Sequence, residues 1–383
     1  MRPAPGVVLV CPAWHYADDL GVPLALAAEG KDAQTMQYRK MGNSDLEVSA
    51  IGFGCWEMGG GYGAFAAQEV IAAIHRALEL GVTLFDTARS YGRGASEELL
   101  AQGLGARRKD AVVVTKGGLA TREGQLDSKP RLPGTRPSGR DSRYDSLIAD
   151  CEDCLRSLDT DYVDLFLIHH PDVATPFEEG MRALNDLLAA GKTRYIGVSN
   201  YESAQLRRSR AVAPLITNQV GFNLFDRRWE YEMFPTAKEL DVGIMAYGPL
   251  SHGLLTGTFA VGMSFEEDDW RRAGNMKGQQ LFTPENAAHN LAVVDQLQGV
   301  AQRLGITLPQ LAIAWVLSNE QVDVALCGTR RPAEIEDSVE AVNVTLSREV
   351  LREIEEIMAG AIGLAETLPS SETRVPYPAQ SLA

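Results

Sequence analysis

Four side chains with acid–base chemistry stand at or just after short apolar runs of the sequence. Asp86 follows one such run and Tyr91 lies five residues further on, whereas Lys116 and His169 each end a run of their own. A carboxylate, a phenol, an ammonium and an imidazole that meet in one cavity are suited to proton transfer to a carbonyl group. The carbonyl carbon is then open to hydride attack, and the hydride has to come from a cofactor because no side chain supplies one.

The predicted acid is Tyr91, whose phenol in isolation has a pKa of about 10 and is a weak acid at neutral pH. An ammonium about 4 Å away contributes up to roughly 4 kcal/mol at an effective dielectric constant of about 20, which corresponds to about 3 pKa units. We therefore expect Lys116 to lower the pKa of Tyr91. Asp86 is expected to keep Lys116 charged, and His169 to hold the carbonyl oxygen by a hydrogen bond.

Eight short apolar segments are predicted to be strands, and most are followed by a segment with the apolar spacing of a helix. The predicted strands cover residues 51–53, 83–85, 112–115, 163–168, 195–198, 215–218, 242–246 and 324–326. The clearest helices cover residues 69–80, 96–104, 144–158, 177–189, 291–304, 308–317, 334–342 and 348–358. Residues 37–40 and 46–48, around a turn at Gly42 and Asn43, predict a small hairpin before the first strand.

The repeated order of strand and helix predicts parallel strands, whose burial on both faces explains the apolar run of residues 163–168. Eight such repeats favour an α/β fold in which the strands close into a (β/α)8 barrel, a TIM barrel. The alternative is an open doubly wound sheet, which usually binds dinucleotides through G-x-G-x-x-G after its first strand. Gly52 and Gly54 are followed by Glu57 instead of the third glycine, so the barrel is favoured.

Side chains alternate between the two faces of a strand, which predicts the neighbours of the polar residues. Three pairs of apolar residues share a face with a polar one: Val82 and Leu84 with Asp86, Val112 and Val114 with Lys116, and Leu165 and Leu167 with His169. If these apolar residues fill the barrel, the polar ones cap its C-terminal mouth, where active sites of such barrels lie. Two long irregular segments, residues 117–143 and 251–285, follow the third and seventh strands and are predicted to lie over the same mouth.

Composition excludes several classes of function. The chain has 383 residues, 45% of them hydrophobic, and a formal net charge of −15, so we expect a globular protein whose surface repels nucleic acid. No apolar run reaches the ~18 to 20 residues that span a bilayer, and no signal peptide is predicted, so no membrane partner is expected. Five cysteines without a dense framework are typical of a reducing compartment, and a cytoplasmic location is predicted.

The pattern divides the chain into three parts. Residues 1–35 are unlike the rest of the chain and are interpreted as an N-terminal extension, residues 36–358 as the barrel domain, and residues 359–383 as a C-terminal tail. The oligomeric state is left open.

Other motifs have ordinary explanations. His169 and His170 are adjacent strand residues that point to opposite faces, and no H-E-x-x-H is present, so no metal is predicted. Ser199 follows a glycine by two residues but lacks the second glycine of a nucleophile elbow. Cys151 and Cys154 form a C-x-x-C without a second pair, which indicates packing instead of zinc binding. Asp86 and Lys116 taken alone would be interpreted as a structural ion pair.

Six segments of the sequence resemble the aldo/keto reductase superfamily. They are FDTARSYG at residues 85–92, VTKGG at 114–118, DYVDLFLIHHPD at 161–172, IGVSNY at 196–201, NQV at 218–220 and AYGPLSHGLLTG at 246–257. The resemblance covers about residues 36–358, nearly all of the chain. It implies that Asp86, Tyr91, Lys116 and His169 form a catalytic tetrad. It also implies a nicotinamide cofactor, usually NADPH, that lies extended across the barrel mouth.

The resemblance further implies which residues bind the cofactor. Ser199, Asn200 and Gln219 would bind the carboxamide, and Tyr247 would stack on the nicotinamide. The pyrophosphate would be held by Gly248, Pro249, Leu250, Ser251, Gly253 and Leu255. Gly328, Thr329 and Arg330 would meet the adenosine phosphate, and Asp337 the adenine.

Four positions depart from the family pattern. His170 replaces a frequent aromatic residue, Asp337 and Ser338 replace a common Glu-Asn pair, and acidic Glu334 stands where many NADPH-preferring members have basic groups.

Arg330 and Arg331 can still bind a 2′-phosphate, so NADPH is the predicted cofactor and NAD the alternative. Trp56 and His170 are predicted to contact the substrate, together with residues of the two long segments.

The predicted function is an NAD(P)-dependent enzyme that reduces an aldehyde or ketone, or oxidises the corresponding alcohol or sugar. Its partner would be a small carbonyl compound or sugar. A second hypothesis is a cofactor-sensing partner subunit with little turnover, and a third is a metal-dependent barrel hydrolase or isomerase.

Overall fold

The computed structural model describes residues 36–60, 65–126, 139–267, 269–274 and 278–365. Residues 1–35 and 366–383, which hold the predicted extension and most of the predicted tail, lie outside the described residues. The middle of the first long segment, residues 127–138, also lies outside them.

The described part of the chain begins with an antiparallel hairpin, as predicted, formed by β1 (Tyr38–Lys40) and β2 (Glu47–Ser49). Eight parallel strands then close into a barrel in which each strand pairs with the next and the last returns to the first. They are β3 (Ile51–Gly54), β4 (Leu84–Asp86), β5 (Val112–Gly117), β6 (Val163–Ile168), β7 (Thr193–Ser199), β8 (Leu215–Gly221), β9 (Gly243–Tyr247) and β10 (Val322–Gly328). The predicted TIM barrel is therefore confirmed, with strand ends that shift by a few residues.

Helices pack on the outside of the barrel. They are α1 (Ala67–Glu79), α2 (Ala95–Leu104), α3 (Tyr144–Ser157), α4 (Phe177–Ala189), α5 (Ser203–Arg210), α6 (Met233–Glu239), α7 (Pro284–Leu304), α8 (Leu308–Leu317), α9 (Pro332–Glu340) and α10 (Arg348–Met358). Two of them were not predicted. α5 carries few apolar residues, and α6 is only 7 residues long and contains Pro235, so neither shows a clear apolar period.

The inside of the barrel is filled by a compact apolar cluster. Leu84, Val114, Leu165 and Leu167 belong to it, as the strand alternation predicts, and Val112 packs against it. Val82 was wrongly placed there. It precedes β4 and packs in the outer cluster with the helices.

The hairpin closes the N-terminal end of the barrel, because its residues Met41, Leu46 and Val48 belong to the inner cluster. Burial of each such side chain stabilises the fold by roughly 1.5–3 kcal/mol. The hairpin thus fills the end of the barrel opposite the C-terminal mouth. Within the described residues, no single helix has the length and apolar character to cross a membrane, and α7 and α8 meet that test only as a pair bent by 89°.

Candidate active site

The four predicted catalytic side chains meet at the C-terminal mouth of the barrel. Asp86 is the last residue of β4, Lys116 lies near the end of β5, and His169 directly follows β6. Tyr91 begins the short helical segment Tyr91–Gly94 after β4. A Cβ on Gly59 would lie 2.6 Å from the main-chain carbon of Tyr91, so this glycine allows the loop after β3 to approach Tyr91 closely.

Lys116 is the centre of this group. Its Nζ donates to Asp86 Oδ2 at 2.7 Å and to the carbonyl of Thr87 at 2.8 Å, and lies 3.4 Å from the hydroxyl of Tyr91. Gln219 Nε2 donates to the other carboxylate oxygen of Asp86 at 2.7 Å. The predicted order of carboxylate, ammonium and phenol is therefore present as one hydrogen-bonded chain.

The electrostatics of the phenol differ from the expectation. Burial, and next the carboxylate of Asp86, raise the pKa of Tyr91 well above its ordinary value. Burial likewise lowers the pKa of Lys116 and raises that of Asp86. The predicted lowering of the Tyr91 pKa by Lys116 is therefore wrong for the protein without ligands, because the loss of solvent outweighs the ammonium. Tyr91 is protonated at neutral pH, as a proton donor must be.

His169, directly after β6, faces Tyr91. Their ring centroids are 5.6 Å apart at an interplanar angle of 78°. Ser90 Oγ lies 3.3 Å from His169 Nδ1, and Asn200 Nδ2 donates to the main-chain carbonyl of His169 at 3.0 Å. His170 stacks on His169 with centroids 5.1 Å apart. These contacts hold the imidazole at the edge of the phenol. The prediction that the side chains of His169 and His170 point to opposite faces is therefore wrong, because both residues lie beyond the end of β6.

A cavity of about 350 Å³ opens above these residues. Most of the predicted site residues line it: Trp56, Asp86, Tyr91, His169, His170, Ser199, Asn200, Gln219, Tyr247, Gly248, Pro249, Leu250, Gly253, Gly328, Thr329, Arg330 and Asp337. Lys116 does not line the cavity because it lies beneath Tyr91 and is fully buried. Ser251 and Leu255 do not line it either and are buried in the loop after β9.

Polar side chains are grouped at one end of the cavity. Tyr247 donates its hydroxyl hydrogen to Asn200 Oδ1 at 2.9 Å, and Asn200 Nδ2 also lies 2.9 Å from Ser199 Oγ. Ser199 in turn donates to the main-chain carbonyl of Gln219 at 2.8 Å. Trp56 lies across from this group, with its ring centroid 6.4 Å from that of Tyr91.

The loop after β9 forms the middle of the cavity wall. Gly248, Ser251, His252 and Gly253 all have positive φ angles, of 66°, 48°, 58° and 97°. Successive residues in such conformations can turn main-chain N–H groups toward an anion. Arg271 reaches this loop from the segment Trp270–Ala273 and donates to the carbonyl of His252 at 3.1 Å.

The end of β10 and the start of α9 form the far wall. Glu334 accepts hydrogen bonds from the main-chain N–H of Arg330 at 2.7 Å and from Arg331 Nε at 3.2 Å. Asp337 accepts from Gln310 Nε2 at 2.8 Å. Arg331 is therefore engaged with the acidic residue that departs from the family pattern.

Several residues that line the cavity were not singled out in the sequence: Glu57, Ser90, Leu119, His252, Thr256, Arg271, Pro309 and Leu326. The long segments supply Leu119, Thr256 and Arg271, which were predicted only as parts of loops over the mouth, and His252, which lies within the segment 248–255 that the family resemblance assigns to the pyrophosphate. Glu57 carried no signal beyond its position next to Trp56. No group of three or more metal-ligating side chains is found in the described part of the chain.

Replacement of Lys116 by Met should destabilise the protein by about 3–5 kcal/mol, because it leaves the buried carboxylate of Asp86 without its ammonium partner. Urea unfolding at neutral pH measures this change. The double variant with Asp86→Asn should regain part of the loss, since it leaves no buried charge. If Lys116→Met were as stable as the wild type, Lys116 would not be the main partner of Asp86.

Comparisons with known proteins agree with this geometry. Residues 50–359 match the model of the aldo/keto reductase family. The chain is 34% identical over 331 residues to aldo-keto reductase YhdN of Bacillus subtilis, and the aligned region covers 85% of this chain and 95% of that protein. It is 32% identical over 339 residues to L-glyceraldehyde 3-phosphate reductase of Escherichia coli O157:H7, over 85% of this chain and 93% of that protein.

A solved structure, the glycerol dehydrogenase AKR11B4 from Gluconobacter oxydans, superposes with a TM-score of 0.73 and 31% sequence identity, over 86% of this chain and 97% of that one. The family match, the identity to these relatives and the closed barrel all point to one classification. The chain belongs to the aldo/keto reductase family of NAD(P)-dependent oxidoreductases.

Proposed function

We propose that this enzyme reduces an aldehyde or ketone with NADPH, and oxidises the corresponding alcohol or sugar in the reverse direction, with Tyr91 as the acid. The observation that supports the proposal is the chain Asp86–Lys116–Tyr91, which begins in the barrel interior and ends with the phenol in the cavity.

Each member of the tetrad has a distinct role in this proposal. Tyr91 gives its proton to the carbonyl oxygen as negative charge develops there. Lys116, 3.4 Å from the hydroxyl, stabilises the phenolate that remains. Asp86 keeps the ammonium charged, and His169 donates a hydrogen bond to the same oxygen and sets the angle of the carbonyl.

The residues that line the cavity fit an extended dinucleotide. Asn200 and Tyr247 stand at the polar end, the loop with positive φ angles lies in the middle, and Arg330 stands at the far end. These groups suit, in order, an amide, a pyrophosphate and a ribose phosphate. The Gln219 side chain already donates to Asp86, so its role at the amide end is shared with the tetrad. A bound nicotinamide would supply the hydride to the carbonyl carbon.

The substrate is proposed to be a small aldehyde or sugar. Trp56, His170 and Leu119 line the same cavity as Tyr91, and they combine apolar surface with few polar groups. The similarity to a glyceraldehyde-phosphate reductase and a glycerol dehydrogenase supports short polar carbonyl compounds and polyols as the first class to test. A cytoplasmic location remains a prediction.

Replacement of Tyr91 by Phe should leave NADPH binding intact and lower kcat by about 10² or more, because the acid is lost while the ring stays. Single-turnover oxidation of bound NADPH by a panel of small aldehydes measures the step. Tyr231→Phe is the matched control, since Tyr231 is 81% exposed. A near-normal kcat in Tyr91→Phe would exclude this phenol as the acid. No carbonyl-dependent oxidation by the wild type would favour the cofactor-sensing subunit.

Replacement of Arg330 by Ala should weaken NADPH binding by about tenfold or more and leave NADH binding nearly unchanged, because a charge-assisted bond to the 2′-phosphate is lost. The ratio of the two Kd values, from fluorescence titration, gives the result. Arg331→Ala is the control because Arg331 is bonded to Glu334. An unchanged ratio in Arg330→Ala would remove Arg330 from phosphate recognition.

A further inference from the structure

Glu57 has no part in the proposed reaction, yet it lines the cavity from the short helical segment Trp56–Gly59 after β3. Its Oε2 atom is buried and accepts no hydrogen bond from any residue in the described ranges. A buried polar atom without a partner costs free energy, so such atoms in native proteins are normally bonded to protein, water or ligand. Glu57 thus lines the cavity with a carboxylate oxygen that no described residue satisfies, which leaves water or a bound ligand as its partner.

Gly328, at the end of β10, leaves the space in which the carboxyl group lies. A Cβ on Gly328 would lie 1.9 Å from Glu57 Oε1 and 2.5 Å from its Cδ. The carboxyl group thus occupies the space that any other residue at position 328 would fill. Gly328 directly precedes Thr329 and Arg330, which line the part of the cavity proposed for the dinucleotide phosphate.

Charged and titratable groups from four parts of the fold act on Glu57. Arg330 and Glu334 come from the β10–α9 connection, and Arg271 comes from the segment Trp270–Ala273. Tyr91 after β4 is a further neighbour, as are the thiols Cys55 and Cys327. Burial is the largest influence and, despite the two arginines, raises the pKa of Glu57 from 4.5 to about 7.

We propose that Glu57 is a cofactor-facing carboxyl group that takes up one proton when a dinucleotide phosphate binds beside Gly328 and Arg330. The inference rests on the proposed function. The proton comes from solvent and adds to the carboxylate, which becomes a neutral acid. Its O–H can then donate to a phosphate or ribose oxygen, whereas the charged form would face the anionic phosphate with the same sign of charge.

The direction of the pH dependence follows from linkage. In the free protein the carboxyl group is largely protonated below about pH 7, so binding takes up little proton there and the Kd changes little. Above that pH the group is charged, binding requires protonation, and the Kd for NADPH rises by up to about tenfold per pH unit, the limit for one linked proton.

The test compares NADPH binding to the wild type, Glu57→Gln and Glu98→Gln by calorimetry, from about pH 6 to about pH 8.5. Glu98 is an exposed residue of α2 and serves as the control. For the wild type and Glu98→Gln we expect a Kd that weakens about tenfold or more over this range. Titrations in two buffers of different ionisation enthalpy should show uptake of close to one proton at the upper pH. For Glu57→Gln, the Kd should depend less on pH, and binding should take up no such proton.

Equal pH slopes and equal proton uptake in the wild type and Glu57→Gln would overturn this inference and leave the proposed function standing. Absence of NADPH binding at every pH would overturn the proposed function and the inference with it. Gly328→Ala is a second variant that displaces the carboxyl group without changing its charge. In this variant the Kd for NADPH should also depend less on pH. A pH dependence of the Kd as steep as that of the wild type would count against the proposal.

Discussion

The ammonium of Lys116, held without solvent beneath the barrel mouth, is the interaction on which the site depends. Parallel register brings Asp86 beside Val114, so Lys116 emerges two residues further along β5, within 2.7 Å of the carboxylate. An unpaired charge at such a depth would cost several kcal/mol. The carboxylate and the Thr87 carbonyl offset that cost, and the charge lies 3.4 Å from the Tyr91 hydroxyl. The barrel thus places a stabilising charge under a phenol that is itself kept neutral by burial.

The cavity separates two kinds of electrostatics. At the tetrad end, burial raises the pKa values of Asp86 and Tyr91 and lowers that of Lys116. Asp86 also acts electrostatically on Lys116 and Tyr91, so the protonation states of the three groups depend on one another. At the far end, Arg330 and Arg271 line the space proposed for phosphate together with the acidic Glu57 and Glu334. This combination of arginines and carboxyl groups suits a ligand whose phosphate binds an arginine. The charge of the same phosphate would change the protonation of a neighbouring carboxyl group.

Much of the fold could be predicted from the sequence, because a parallel barrel strand is a short apolar run and each one is present. α5 and α6 were missed, since Ser203–Arg210 carries few apolar residues and Met233–Glu239 is short. The tetrad could be found from strand ends and family segments. Glu57 could not, because its burial depends on Gly328, which is distant in the chain. The Tyr91 pKa was misjudged for a related reason, since pairwise charges can be read from a sequence but loss of solvent cannot.

The charge on Lys116 tests the account most directly. Proteins labelled with ¹³C and ¹⁵N at lysine, compared with Lys116→Met for assignment, allow NMR titration of its ε-amine. We expect a pKa below that of ordinary lysine, because burial lowers it, and an ammonium that persists through neutral pH, because Asp86 is bonded to it. A neutral amine at pH 7 would contradict the account, since the phenolate left on Tyr91 would then have no charge to stabilise it.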